Sequence, residues 1–99
     1  EYELYLFKDS YAAARRKHHH DLEPIGDYNE DYHILQGSRE EHIMGALRRA
    51  LDQSGVPVEF SKGEAGLGQQ GLKLRFRDVL SQADRNVLYK NDAKEIASA

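Results

Sequence analysis

The stretch FSKGEAGLGQQGLKLRFR, Phe60 to Arg77, decides the fold. Gly63, Gly66 and Gly68 interrupt it between two runs in which apolar and polar residues alternate. Before the glycines come Val56, Val58 and Phe60. After them Leu72, Leu74 and Phe76 alternate with Gly71, Lys73, Arg75 and Arg77. A period of two on both sides of a glycine-rich turn predicts an antiparallel strand pair with one buried face. Glu64 falls inside that turn, where glycine neighbours let the backbone bend and aim a carboxylate at a ligand.

Working outward, Ser38 to Gly55 reads as a helix. Ser38 and Glu41 have the spacing of a capping box. Ile43, Leu47 and Leu51, with Ala46 and Ala50, make an apolar stripe, and Gly55 and Pro57 stop the helix. Arg48 and Arg49 read as a solvated face near its C-terminus. Downstream, Asp78 to Ala97 carries Leu80, Ala83, Val87, Ala93 and Ile96 at helical spacing without interior glycine or proline, and predicts a second long helix. At the other end, Glu1 to Phe7 is rich in Tyr, Leu and Phe and reads as a strand. On such a strand Glu1, Glu3, Tyr5 and Phe7 share one face, while Tyr2, Leu4 and Leu6 share the other. Two carboxylates on one face repel unless solvent or a cation separates them, and hard oxygen donors suit magnesium or manganese.

Residues 9–37 read as a loop-rich excursion. Ser10 caps a short helix through Lys17, and His18, His19 and His20 follow as a solvated loop. Three consecutive imidazoles do not converge on one ion from a regular helix or strand, although His18, His20 and His33 offer an alternative histidine-based metal site. Tyr32, His33, Ile34 and Leu35 are expected to pack the excursion onto the body.

The 99 residues suit one domain with one small core. A net charge of -3 argues against nucleic-acid binding. No apolar run approaches the roughly 20 residues of a membrane span, and Glu1 to Lys8 lacks the basic flank of a signal peptide. Without cysteine there is no disulfide framework, so a cytoplasmic setting is expected. The element order predicts an α+β fold: a three-stranded, mainly antiparallel sheet with two long helices on one face, in the order β-α-β-β-α. The opposite face would carry Glu1, Glu3, Gly71, Lys73 and Arg75, a mixture of charges unlike a core. It reads as part of a site.

The segments EYELYLF, EDYHIL, PVEFSKGEAGLGQQG and LRFRDVLSQADRNVLYKNDAKEIA together resemble the glutamine synthetase superfamily, and within it the bacterial γ-glutamyl-amine ligases. The resemblance covers nearly the whole chain. It implies one β-α-β-β-α repeat of a catalytic domain built from two, hence a partial catalytic domain over residues 1–99 that is inactive alone. The family joins glutamate to ammonia or an amine using ATP and two divalent cations, Mg2+ or Mn2+, through a γ-glutamyl phosphate. Carried over, Glu3 and Glu64 match two of three carboxylates on one cation, and Glu1 matches a ligand of the second. The third carboxylate position of the first site is occupied here by Gly71. Phe76 matches an aromatic residue near the adenine. A different class of function is a non-catalytic module that self-associates through the half-sheet.

Overall fold

The computed structural model describes all residues, 1–99. They run β1 (Tyr2–Tyr5), α1 (Tyr11–Arg16), α2 (Ile34–Arg39), α3 (Glu41–Gln53), β2 (Val58–Gly63), β3 (Gln69–Leu74) and α4 (Val79–Ser98). The strands form one antiparallel sheet in the spatial order β1-β3-β2. Setting aside the short α1 and α2, this is the expected β-α-β-β-α arrangement. No helix is long and apolar enough to cross a membrane.

The core lies between one face of the sheet and the helices α3 and α4. Leu6, Leu72 and Leu74 from the sheet side meet Met44, Leu47 and Leu51 of α3, Val56, and Tyr89 of α4. Tyr2 stacks on Tyr89 with ring centroids 5.0 Å apart and donates its hydroxyl to the Gln82 carbonyl, which fixes α4 across β1. Burying a leucine fully is worth about 1.5–3 kcal/mol, so these few side chains dominate the stability of so short a chain.

A bulge changes the phase of β2. Pairing with β3 shifts by one residue between Val58, opposite Leu74, and Phe60, opposite Lys73. Because side chains alternate across a strand, a one-residue shift turns everything after it to the other face. Phe60 is therefore half-exposed and lies beneath the Lys73 ammonium, 5.5 Å from its ring centroid, rather than in the core with Val56 and Val58. Ser61 and Gly63 take the inner face, opposite Leu72 and Gln70.

Five further expectations are corrected. Phe76 lies beyond β3 and is 90% exposed, because the ladder ends at Leu74. In α4 the core-facing residues are Tyr89, Ala93 and Ile96, whereas Val79, Leu80 and Val87 point to solvent on the opposite side. Ser38 lies inside α2, so no capping box forms with Glu41: Glu40 is the N-cap of α3, and Glu41 pairs with Arg48. Arg48 is not a free solvated group, since it also donates to Ser61 of β2 at 2.7 Å. Tyr32, Ile34 and Leu35 are exposed, and the excursion is anchored by buried polar groups, Glu30 and Gln36, instead.

Elsewhere the excursion is held by its backbone. Ser10 accepts from the Ala13 N–H as the cap of α1. The Ile25 N–H donates to the Leu6 carbonyl and the Lys8 N–H to that of Glu23, laying residues 23–25 beside the chain that leaves β1. His18, His19 and Asp21 take left-handed backbone angles in the turn after α1.

Leu47→Ala is expected to lower stability by about 2–5 kcal/mol in urea unfolding. Val87→Ala, on the solvent side of α4, is expected to change it by less than about 0.5 kcal/mol.

Candidate metal centre

The outer face of the sheet gathers acids. On β3, Gly71 lies opposite Glu3 of β1 and opposite Lys62 of β2, so these three positions form one row across the sheet. Glu1 precedes Glu3 by two residues and shares its side. Glu64 follows β2 by one residue, and its N–H donates to the Gln69 carbonyl at 2.9 Å, closing the hairpin. The turn itself needs Gly68, whose φ of +71° is one that side chains with a Cβ rarely adopt. One carboxylate oxygen from each of Glu1, Glu3 and Glu64 can be chosen so that all lie within 4.8 Å of one another.

Gly71 forms the floor of this cluster. A Cβ there would fall onto Glu64 Oε1 and within 2.9 Å of Glu1 Oε1, so a side chain at 71 would point into the middle of the acids. Both obstructing atoms are ends of flexible side chains that can swing aside.

Two neighbours hold the carboxylates in place. Gln69 donates from Nε2 to Glu3 at 2.6 Å, while its Oε1 accepts from the Gly66 N–H at 2.9 Å. It thereby ties the edge strand to the turn that carries Glu64. Lys62 reaches Asp31 at 2.6 Å and Glu64 Oε2 at 3.2 Å, and lies 4.4 Å from the centroid of the Tyr32 ring. The Asp31 carboxylate first, and Glu64 after it, hold the Lys62 ammonium above its usual range. Glu64 thus turns one oxygen toward the acids and the other toward a fixed cation. Such outer partners orient ligating carboxylates. Lys62 also offsets part of the repulsion among like charges.

The donor set is all hard oxygen, in a half-exposed setting that leaves room for bound water. That is chemistry magnesium or manganese accepts, and the residues fit a divalent cation. His18, His20 and His33 do not join any such group. His18 and His20 are exposed in the turn after α1, and His33 pairs through Nδ1 with the Tyr28 hydroxyl at 3.2 Å. Phe76 stands apart from the acids, beside the start of α4. Gln69, Lys62 and Asp31 join the site without a motif of their own in the sequence. The first follows the turn glycine in sequence, but only the tertiary fold brings Asp31 to Lys62.

Comparison with known proteins follows the same lines. The family model for the glutamine synthetase catalytic domain matches residues 1–99. Over 98 residues the chain is 35% identical to a gamma-glutamylethanolamide synthetase of Streptomyces coelicolor and 32% identical to a glutamate–isopropylamine ligase of a Pseudomonas species. Each of these matches takes in 99% of the chain and 21% of the relative. A glutamine synthetase of Mycolicibacterium smegmatis is 46% identical over 50 residues, 50% of the chain and 11% of the relative. The chain therefore spans about a fifth of the length of the first two relatives.

Gln69→Ala removes the acceptor of the Gly66 N–H and the donor to Glu3. Amide hydrogen exchange at Gly66 is expected to speed up by roughly 2- to 10-fold, the equivalent of one hydrogen bond, with exchange at Leu72 unchanged.

Proposed function

The chain belongs to the glutamine synthetase catalytic-domain family, and from that membership we propose that it supplies part of the divalent-cation site of an ATP-dependent ligase joining glutamate to ammonia or an amine. Glu3 and Glu64 are the ligands of one cation and Glu1 a ligand of the second. The observation that supports this reading is the approach of the three carboxylates on the sheet face turned away from α3 and α4. Mg2+ or Mn2+ there would neutralise phosphoryl oxygens during transfer. The chain's own contribution is to hold the acids in position, Glu64 through Lys62 and Glu3 through Gln69. An amine substrate is in keeping with the names of the two relatives matched along almost the whole chain. Phe76, exposed next to α4, is proposed to meet the nucleotide. With glycine at 71 the first cation has two of its three family carboxylates. The 99-residue chain alone is proposed to lack synthetase activity.

A second reading, a non-catalytic module that pairs with a second copy through the half-sheet, draws on the mixed outer face and on the two edge strands β1 and β2 of the three-stranded sheet. Sedimentation equilibrium separates the two, since a chain that stays monomeric at high concentration removes the module.

Calorimetric titration with Mn2+ tests the metal site. Binding is expected, and it should disappear in the double variant Glu3→Gln, Glu64→Gln. Gly71→Glu, which adds a hard ligand at the centre of the cluster, should tighten Mn2+ binding by on the order of tenfold or more. Without metal the same change should lower stability, through the added like charge. Equal affinity of the wild-type chain and the Gly71→Glu variant would overturn the assignment of position 71. ADP release by the 99-residue chain with glutamate and ATP would overturn the proposal that it is inactive alone.

A further inference from the structure

Beneath the acid cluster, on the helix side of the sheet, lies a second pair of carboxyls. Glu30, before α2, and Glu40, at the junction of α2 and α3, are both fully buried. Glu40 is well supplied: one oxygen accepts from Gln36 Nε2 at 2.8 Å and the other from Gln70 Nε2. Glu30 is not. Both of its oxygens are buried without a hydrogen bond of ordinary geometry, and the nearby Gln70 amide, which donates to Glu40, favours an ionised Glu30 less than burial and Glu40 oppose it.

The groups packed around Glu30 come from each neighbouring element. Glu40 comes from the helix junction and Gln70 from β3, while Gly63 of β2 abuts the Glu30 backbone. Of these Glu40 alone is charged, and no cation acts on Glu30. An ionised carboxylate buried without donor or counter-charge is costly, and two facing carboxyls in such a site retain a proton between them. A protonated Glu30 removes the difficulty, because its O–H donates to Glu40.

We propose that Glu30 and Glu40 share a single proton, carried by Glu30, and that this proton fastens the turn of residues 28–33 to α3 and β3. The turn in turn positions the outer face. The Glu30 carbonyl accepts from the His33 N–H at 2.9 Å, and a Cβ at Gly63 would come within 2.5 Å of that carbonyl oxygen. Asp31, the next residue, holds Lys62, and Lys62 holds Glu64. The proton therefore acts on the acid cluster through positioning residues, without touching a candidate ligand.

Burial, and then the Glu40 charge, raise Glu30 from its ordinary 4.5 to about 7. At pH values below the ordinary value both folded and unfolded chains are protonated. As pH rises through the window from 4.5 to about 7, the unfolded chain gives up the proton while the folded chain keeps it. Stability then falls with rising pH and levels off above the window. Glu30→Gln places an amide N–H donor at the same point and cannot titrate.

Urea unfolding of the 99-residue chain and of Glu30→Gln from pH 4.5 to 8 tests this. The variant-to-wild-type ratio of unfolding constants is expected to change by roughly a hundredfold across the window in favour of the variant. Amide exchange at His33, compared between the two proteins at each pH, should diverge over the same interval. A merely structural role would leave both ratios independent of pH, and parallel curves would overturn the proposal. Carboxyl-carbon NMR titration of the wild-type chain follows the proton without any variant: one of the two carboxyls should titrate near neutrality, and titration of both below pH 5.5 would also overturn it. None of these measurements requires metal, so failure to bind Mn2+ would sink the reading of the outer cluster and leave this pair standing.

Discussion

A single backbone irregularity decides that Lys62 and Glu64 stand on the same side of the sheet as Glu1 and Glu3. Between Val58 and Phe60 the β2 strand gains a residue relative to β3. Without it, Lys62 would share a face with Val58 and point toward the helices. With it, Lys62 turns outward to stand in the row with Gly71 and Glu3, and Ser61 and Gly63 turn inward. Two small residues under α3 and the excursion leave room for Arg48 to reach Ser61 and for the Glu30 backbone to lie against Gly63. The bulge thus serves both faces: a charged row outside and a close backbone approach inside.

Two clusters of carboxyls on opposite sides of one thin sheet meet opposite fates. Outside, Glu1, Glu3 and Glu64 stay near water and near Lys62 and Gln69, so their repulsion is screened and they remain available as hard ligands. Inside, Glu30 and Glu40 are shut away from bulk solvent and no counter-charge acts on Glu30, and there the proposed shared proton is the cheaper solution. The same residue type is suited to hold a cation or to keep a proton according to what surrounds it, and the Asp31–Lys62–Glu64 chain of ion pairs begins one residue after Glu30.

Much of this was legible from residue order. The glycine turn, the alternation of Leu72 and Leu74, the stripe of Leu47 and Leu51 and the Ser10 cap each rest on local periodicity or a local hydrogen bond, and each is seen in the fold. The convergence of Glu1, Glu3 and Glu64 followed from strand parity together with the family resemblance. What escaped depends on tertiary context. Phase arithmetic fails across a bulge, hence Phe60. A helix with apolar residues on two sides does not declare which one faces inward, hence Leu80 and Val87 instead of Tyr89. Residue type alone points to Tyr32, Ile34 and Leu35 as the anchors of the excursion, because polar anchors are unexpected in a core. Glu30, Glu40 and Gln36 become anchors only because the fold supplies partners distant in sequence, such as Gln70.

The position of β1 at the rim of the sheet has a bearing on solubility. A rim strand offers free peptide groups that another chain could use as a template for fibre growth. Here every second side chain over the first three residues is an acid, and residues 23–25 lie along the segment that follows. A strand added in register would stack carboxylates against carboxylates. The spacing that brings these acids together thus also discourages the rim from recruiting its own kind.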